Sequence, residues 1–212
     1  AVVVTIALAW AVGFSSLLDT REVSVTGADP ADAASIERIA DEQVGRPLVR
    51  VDGDDLARRI TDEVPGAAHV TVERSWPHTL NLKVMSRVPA LAVERGERDF
   101  ELLDLDGVVI RHVTSAPEDV PTVTAEDNAE VSGHGVKAAQ GMLAALPAEM
   151  RSKVKDVRVD SADQISFRLG STRIIWGDGS KPEVKVEVIR ILQAKKAKTI
   201  DVSAPDTPVT SG

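Results

Sequence analysis

Cysteine is absent from the 212 residues, so the chain can build no disulfide framework, no thiolate metal site and no thiol nucleophile. That composition is compatible with an oxidising compartment without establishing one. An excess of positive charge is missing too: 25 Lys and Arg face 33 Asp and Glu, a formal net charge of -8. This is the wrong sign for a protein held on nucleic acid through its phosphates, and no nucleic-acid partner is expected. The four histidines, His69, His78, His112 and His134, are scattered without H-E-x-x-H or comparable ligand spacing, and each reads as a surface or turn residue. A Ser-His-Asp triad is recognised by geometry and cannot be claimed from residue order. The most enzyme-like fragment, Ser132-Gly133-His134-Gly135, reads as a flexible loop before a helix. No catalytic, metal-binding or cofactor-binding residue is therefore assigned, and no enzyme is expected.

Hydrophobic residues make up 43% of the chain, enough for packed cores in one or two domains. Ala1 to Leu18 carries no charge, and 18 residues at helical rise reach roughly 27 Å, close to a bilayer core of about 30 Å. This predicts a membrane-spanning helix, since no helical spacing offers a polar face. A buried core helix is one alternative. A signal peptide is another, because Ala9-Trp10-Ala11 resembles a small-x-small cleavage site, although a basic leading region is missing. The chain does not begin with methionine, which gives the expectation that its start is truncated. The following Asp19-Thr20-Arg21-Glu22 has no positive excess and favours an external position for what comes next.

Val23-Ser24-Val25-Thr26 alternates as a short strand ended by Gly27, and Asp29-Pro30 opens a helix with a cap followed by proline. Ile36, Ile39, Ala40 and Val44 form its predicted apolar stripe, with Gly45 closing it. Asp52 or Asp54 can cap a second helix in which Leu56, Ile60 and Val64 recur every four residues until Pro65-Gly66. Val70 to Pro89 then reads as a hairpin. Val70 and Val72 alternate in one arm, Leu80, Leu82 and Val84 in the other, and Trp76-Pro77 places the connection at Ser75 to His78. The order is strand, helix, helix, strand, strand, with both helices expected on one face of a three-stranded sheet.

The string Val72-Glu73-Arg74-Ser75-Trp76-Pro77-His78-Thr79-Leu80-Asn81-Leu82-Lys83-Val84, followed by Arg87-Val88-Pro89-Ala90, resembles the POTRA domain of the FtsQ/DivIB bacterial cell-division proteins. That family carries the pattern V-x-R-x-W-P-x-T-L-x-I-x-V-x-E-R-x-P-x-A. Val23 to Gly27 fits its first strand and turn, and a preceding membrane helix fits its single-pass architecture. Ser86 stands where a glutamate is usual, which puts any ion pair of that glutamate in doubt.

A second unit begins near Leu91. Phe100 to Leu103 and Val108 to His112 flank Asp104-Leu105-Asp106-Gly107, a hairpin signal. A calcium loop is not supported there, because the twelve-residue ligand spacing and terminal glutamate are absent. Pro117 and Pro121 bracket a loop. Val136, Ala139, Met142 or Leu143, and Leu146 mark a helix ending at Pro147. Val157 with Val159, Ile165 to Leu169 and Arg173 to Trp176 read as short strands. Trp176-Gly177-Asp178-Gly179-Ser180-Lys181 lacks phosphate-loop spacing and reads as a turn into a helix from Pro182 to Ala197. Val184, Val188, Ile191 and Leu192 are its predicted inner face, and Lys195, Lys196 and Lys198 sit near its C-terminal end. A last strand, Thr199 to Ser203, precedes a proline-rich tail.

The run from Gly170 to Lys181 with its W-G-D element, the long helix and the Ile200-Asp201-Val202 strand before proline are similar to the β domain that follows POTRA in this family. The fold class expected is α+β: a transmembrane helix over 1–18, a POTRA domain over 20–89, a β-rich domain with a mostly antiparallel sheet over 90–204, and a flexible tail over 205–212. The resemblance implies a membrane-anchored scaffold with its C-terminal bulk outside the cell membrane. It also implies partners: FtsB-like (DivIC-like) and FtsL-like division proteins, and through them the septal peptidoglycan synthase FtsW/FtsI. A final strand at a sheet edge leaves unpaired N–H and C=O groups that a partner strand can satisfy; if Thr199 to Ser203 is that edge, Thr199, Ile200, Asp201, Val202 and Ser203 are the candidate partner-binding residues, the alternative being a strand that is internal or capped by the tail. Arg74 and Trp76 are a candidate second surface. The alternative is a POTRA module that guides secreted polypeptides by transient strand addition. An extracytoplasmic hydrolase is a third class, for which no sign is present.

Overall fold

The computed structural model describes residues 18–126, 130–194 and 197–211. The expected membrane helix over 1–18 lies outside the described residues apart from Leu18. Among the described residues no helix is long and apolar enough to cross a membrane. The chain divides between Arg87 and Val88 into two units, two residues before the expected boundary.

The first unit contains β1 (Glu22–Thr26), α1 (Pro30–Asp41), a 3-10 turn (Leu48–Arg50), α2 (Gly53–Glu63), β2 (Ala67–Ser75) and β3 (Thr79–Ser86). The sheet order is β1-β3-β2. β2 and β3 are the expected antiparallel hairpin, from Val70↔Val84 to Ser75↔Thr79. β1 runs parallel to β3, from Glu22↔Thr79 to Thr26↔Lys83, so a crossover is required between them and the two helices supply it. The Asp29 carboxylate accepts the N–H of Ala31 at 2.9 Å. Asp52, rather than Asp54, caps α2 and accepts from Asp54 and Asp55 at 3.1 and 3.0 Å; each cap is worth about 1 kcal/mol. Ile36, Ile39, Leu80 and Leu82 are fully buried together with Leu56, Ile60 and Val64, each of the large ones contributing roughly 1.5–3 kcal/mol. Val44 departs from its expected place. It lies beyond the end of α1 and is 46% exposed.

Gly27 has φ +80°, and a Cβ there would come within 2.3 Å of the Val84 carbonyl oxygen; no side chain fits this turn. Ser86 takes over a linking role beside it. Its hydroxyl accepts the Asp29 N–H at 2.8 Å and donates to the Gly27 carbonyl at 3.3 Å, tying the end of β3 to the start of α1.

The second unit is a nine-stranded mixed sheet in the order β12-β11-β10-β9-β8-β7-β4-β5-β6. Its strands are β4 (Leu91–Gly96), β5 (Asp99–Leu103), β6 (Val109–Val113), β7 (Thr122–Ala125), β8 (Val154–Val159), β9 (Ile165–Leu169), β10 (Thr172–Gly177), β11 (Thr199–Asp201) and β12 (Val209–Ser211). Most neighbours are antiparallel, while β4·β7, β7·β8 and β10·β11 are parallel. α3 (Gly133–Ala145), α4 (Ala148–Arg151) and α5 (Pro182–Gln193) complete the unit. α3 and α5 help cover a core that includes Val123, Val157, Phe167, Ile174 and Trp176. Ala92, Leu102 and Ile110 form a smaller cluster under Val113, Ala116 and Val120.

Two expectations are corrected here. β12 falls in the segment expected to be a flexible tail, and β7 in one to which no element is assigned from the sequence. The buried residues of α5 are Lys185, Val186 and Ile189; of the expected inner face Val188 and Leu192 pack partly buried against the same core, while Val184 and Ile191 are 44% and 57% exposed. The helix is turned so that a lysine, fully buried, enters the core. Lys195 and Lys196 lie outside the described residues.

Candidate functional site

β11 is held in the sheet from one side by regular ladder bonds. Arg173 N–H donates to the Lys198 carbonyl and Val202 N–H to the Ile175 carbonyl, both at 2.9 Å. Peptide groups alternate sides along a strand, so those of Ile200 also face β10 and those of Thr199 and Asp201 face away from it. Ile200 and Val202 side chains are fully buried. Ser203 is exposed, and its N–H and hydroxyl both donate to the Asp201 carboxylate, at 2.9 and 2.7 Å.

The outward groups of β11 are occupied. β12 pairs antiparallel through Thr199↔Ser211, Ile200↔Thr210 and Asp201↔Val209, and Lys198 N–H donates to the Ser211 carbonyl at 3.1 Å. The expected free edge at Thr199 to Ser203 is thus corrected: the tail folds back over it. Proline at 205, which is buried, and an ion pair between Lys181 and Asp206 hold that return. Every residue of β12 is exposed, Val209 by 63%. Among the described residues no strand pairs with its outer side.

The strand beside this edge is fixed by Lys185. Its ammonium donates to the carbonyls of Trp176 and Asp178 at 2.9 and 2.7 Å and to the Asp178 carboxylate at 3.1 Å. It also lies 5.2 Å from the centre of the Trp176 ring, a cation–π distance. A buried cation is tolerated because its donors are all used. The Asp178 carboxyl is held down from 3.8 to about 2, first by the Ser180 hydroxyl, then by the Ser180 N–H and by Lys185. The W-G-D turn, read from sequence as a glycine turn, is therefore a polar clasp between β10 and α5. Its lysine was missed because only apolar residues were counted along the helix. Lys185 stands four residues before Ile189 and seven before Leu192, within the core stripe.

In the first unit the two candidate residues separate. Arg74 donates to the carbonyls of Leu48 and Val51 at 3.1 and 2.6 Å, so its guanidinium is committed to the fold. Trp76, in the hairpin turn, is 53% exposed.

The enzyme-like fragment resolves into a cap. Ser132 accepts the Gly135 N–H at 2.9 Å and donates to the Asp163 carboxylate at 2.6 Å, so Gly133 to Gly135 start α3 instead of forming a loop. Asp104 accepts the N–H groups of Asp106 and Val108 at 3.0 and 2.9 Å, which closes its turn internally. Among the described residues no group of three or more His, Asp or Glu could hold a metal ion.

Residues 18–87 match the POTRA domain, FtsQ-type, and residues 92–203 match the C-terminal region of the cell division protein FtsQ/DivIB. The chain is 37% identical over 206 residues to the cell division protein FtsQ of Streptomyces griseus, covering 93% of this chain and 99% of that protein. It is 34% identical to FtsQ of Streptomyces venezuelae, with 96% and 78% covered. To FtsQ of Mycobacterium tuberculosis it is 29% identical, with 97% and 65% covered. The βααββ unit with its Trp-Pro hairpin, the mixed sheet ending in a folded-back strand, and these matches along nearly the whole chain agree: the chain belongs to the FtsQ/DivIB family of cell-division proteins.

Proposed function

We propose that this protein is a non-catalytic scaffold of the division machinery, anchored in the cell membrane by the apolar run Ala1 to Leu18 with both folded units outside. Its partners are FtsB/DivIC-like and FtsL-like division proteins, which it connects to the FtsW/FtsI synthase of septal peptidoglycan. In this reading the partner contributes a strand to the C-terminal end of the nine-stranded sheet. The observation that carries it is β12, a strand of three exposed residues occupying the outward groups of Thr199 and Asp201. Three residues contribute few bonds, each about 1 kcal/mol net, so a longer strand can take their place. Thr199 to Ser203 then form the docking strand: Ile200 and Val202 anchor it inside while Thr199, Asp201 and Ser203 meet the partner.

The test is calorimetric binding of the FtsB-like extracytoplasmic segment to residues 21–212, to residues 21–204, and to Thr199→Pro. Proline at 199 removes an outward donor and leaves the β10 ladder intact. Removing 205–212 is expected to tighten binding and Thr199→Pro to weaken it at least about tenfold, equal to the loss of ~1.4 kcal/mol. Loss of binding on truncation would move the site to the outer side of β12.

A further inference from the structure

The chain enters the first unit through a cradle of hydrogen bonds. Thr20 N–H donates to the Arg46 carbonyl at 2.8 Å and Gly45 N–H to the Thr20 carbonyl at 2.9 Å, while Arg21 N–H donates to the His78 carbonyl at 2.8 Å. The His78 ring nitrogen Nδ1 lies 3.1 Å from the Asp19 carbonyl. Residues 19–21 are therefore strung between the 44–49 segment and the Trp76-Pro77-His78 turn. Arg74 binds the Leu48 and Val51 carbonyls, which joins these two flanks to each other. This end of the unit exposes Trp76 by 53%, Val44 by 46% and Val49 by 45%. These three are half-exposed apolar side chains.

We infer that Trp76, with Val44 and Val49, is an interfacial contact that seats the first unit on the lipid bilayer surface. The inference rests on the membrane-anchor reading of Ala1 to Leu18. The argument is one of reach. If the uncharged run ends at Leu18, Asp19 stands at the edge of the hydrocarbon, and each headgroup layer is about 5–7 Å deep. His78 touches Asp19 directly, and Trp76 is two residues from His78, so their Cα atoms are at most about 7.6 Å apart. The indole is thus within reach of headgroup depth, where tryptophan is favoured for its apolar body and polar N–H. The charges at this end include both signs, Arg21, Arg46 and Arg50 against Asp19 and Glu22. Seating consequently depends on apolar and aromatic surface more than on anionic lipid.

The three tryptophans make the test self-controlled. The full chain, labelled with 5-fluorotryptophan, is reconstituted in phosphatidylcholine/phosphatidylglycerol nanodiscs, and the resonances are assigned with Trp76→Phe. A nitroxide near the lipid headgroup and a soluble gadolinium chelate are then added separately. Trp176, buried in the second unit at 1% exposure, is the internal reference, and Trp10 reports whether the apolar run is in the bilayer. The expected result is several-fold greater broadening of Trp76 than of Trp176 by the lipid nitroxide, with protection of Trp76 from the chelate. It should change little when phosphatidylglycerol is omitted. If Trp10 is broadened by the lipid label and Trp76 only by the chelate, the seating is wrong and the anchor stands. Trp76 shielded from both reagents would mean a protein cover, which also overturns the inference. If Trp10 itself escapes the lipid label, the anchor reading fails and the seating fails with it.

Discussion

At one end of the nine-stranded sheet β6 offers the five residues VIRHV, and at the other β12 offers only VTS. β6 carries Arg111 and His112. His112 lies 3.2 Å from the Asp99 carboxylate and 3.7 Å from Glu101. Charge on an outer strand discourages another chain from pairing with it. β12 has no charged residue and is protected only by its shortness. Strand addition is thus discouraged by charge at the β6 end and only by shortness at the β12 end, which is the end where the proposed function has the partner enter.

The comparison breaks most severely at β11. Ile200→Pro removes an inward N–H and replaces a fully buried side chain, and is expected to destabilise the second unit by about 3–5 kcal/mol. Urea denaturation should show that loss, and any accompanying loss of binding would reflect unfolding, unlike that of Thr199→Pro.

Next in size is the clasp behind the edge. Lys185→Met keeps most of the volume but leaves the Trp176 and Asp178 carbonyls without a donor, a cost of about 1–3 kcal/mol. The same denaturation midpoint measures it. A change below a few tenths of a kcal/mol would show that the lysine does not hold the turn.

Making β6 resemble β12 sharpens the contrast at smaller cost. Arg111→Thr combined with His112→Thr takes the charge off β6 at the cost of the contact that Arg111 already makes, and should raise self-association in sedimentation velocity relative to the parent while circular dichroism shows the unit still folded. Equal association would remove charge as the protection of that edge.

The smallest effect is in pH. The Asp178 carboxyl titrates lower in the folded protein, about 2 against 3.8, so its contribution is complete above about pH 4 and is lost as pH falls toward 2. Because this carboxylate is 58% exposed, solvent screening keeps the effect modest. Asp178→Asn should flatten the stability profile in that window, and an unchanged profile would remove the Ser180 turn as its cause.

Much of the fold was legible in the residues because it rests on local rules. Asp29 and Asp52 announce their helices, Trp76-Pro77 marks the hairpin turn, and Asp104 to Gly107 marks the second. What escaped depends on contacts far along the chain. β7 is Thr-Val-Thr-Ala, with one fully buried residue, Val123; it is a strand because β4 and β8 lie on either side of it. Lys185 counts as polar in any periodicity, and only the carbonyls at Trp176 and Asp178 make it a core residue. β12 is three residues beyond a proline, and its pairing with Thr199 to Asp201 cannot be read locally. The strand expected from sequence to be a free edge therefore lies one strand inside the edge, next to β12.

The most direct test follows amide hydrogen exchange across 197–211 before and after adding the FtsB-like segment. Strand replacement predicts that the amides of Val209 to Ser211 lose protection while Thr199 and Asp201 remain protected. A gain of protection at Val209 to Ser211 would mean that the partner adds outside β12, contradicting the account.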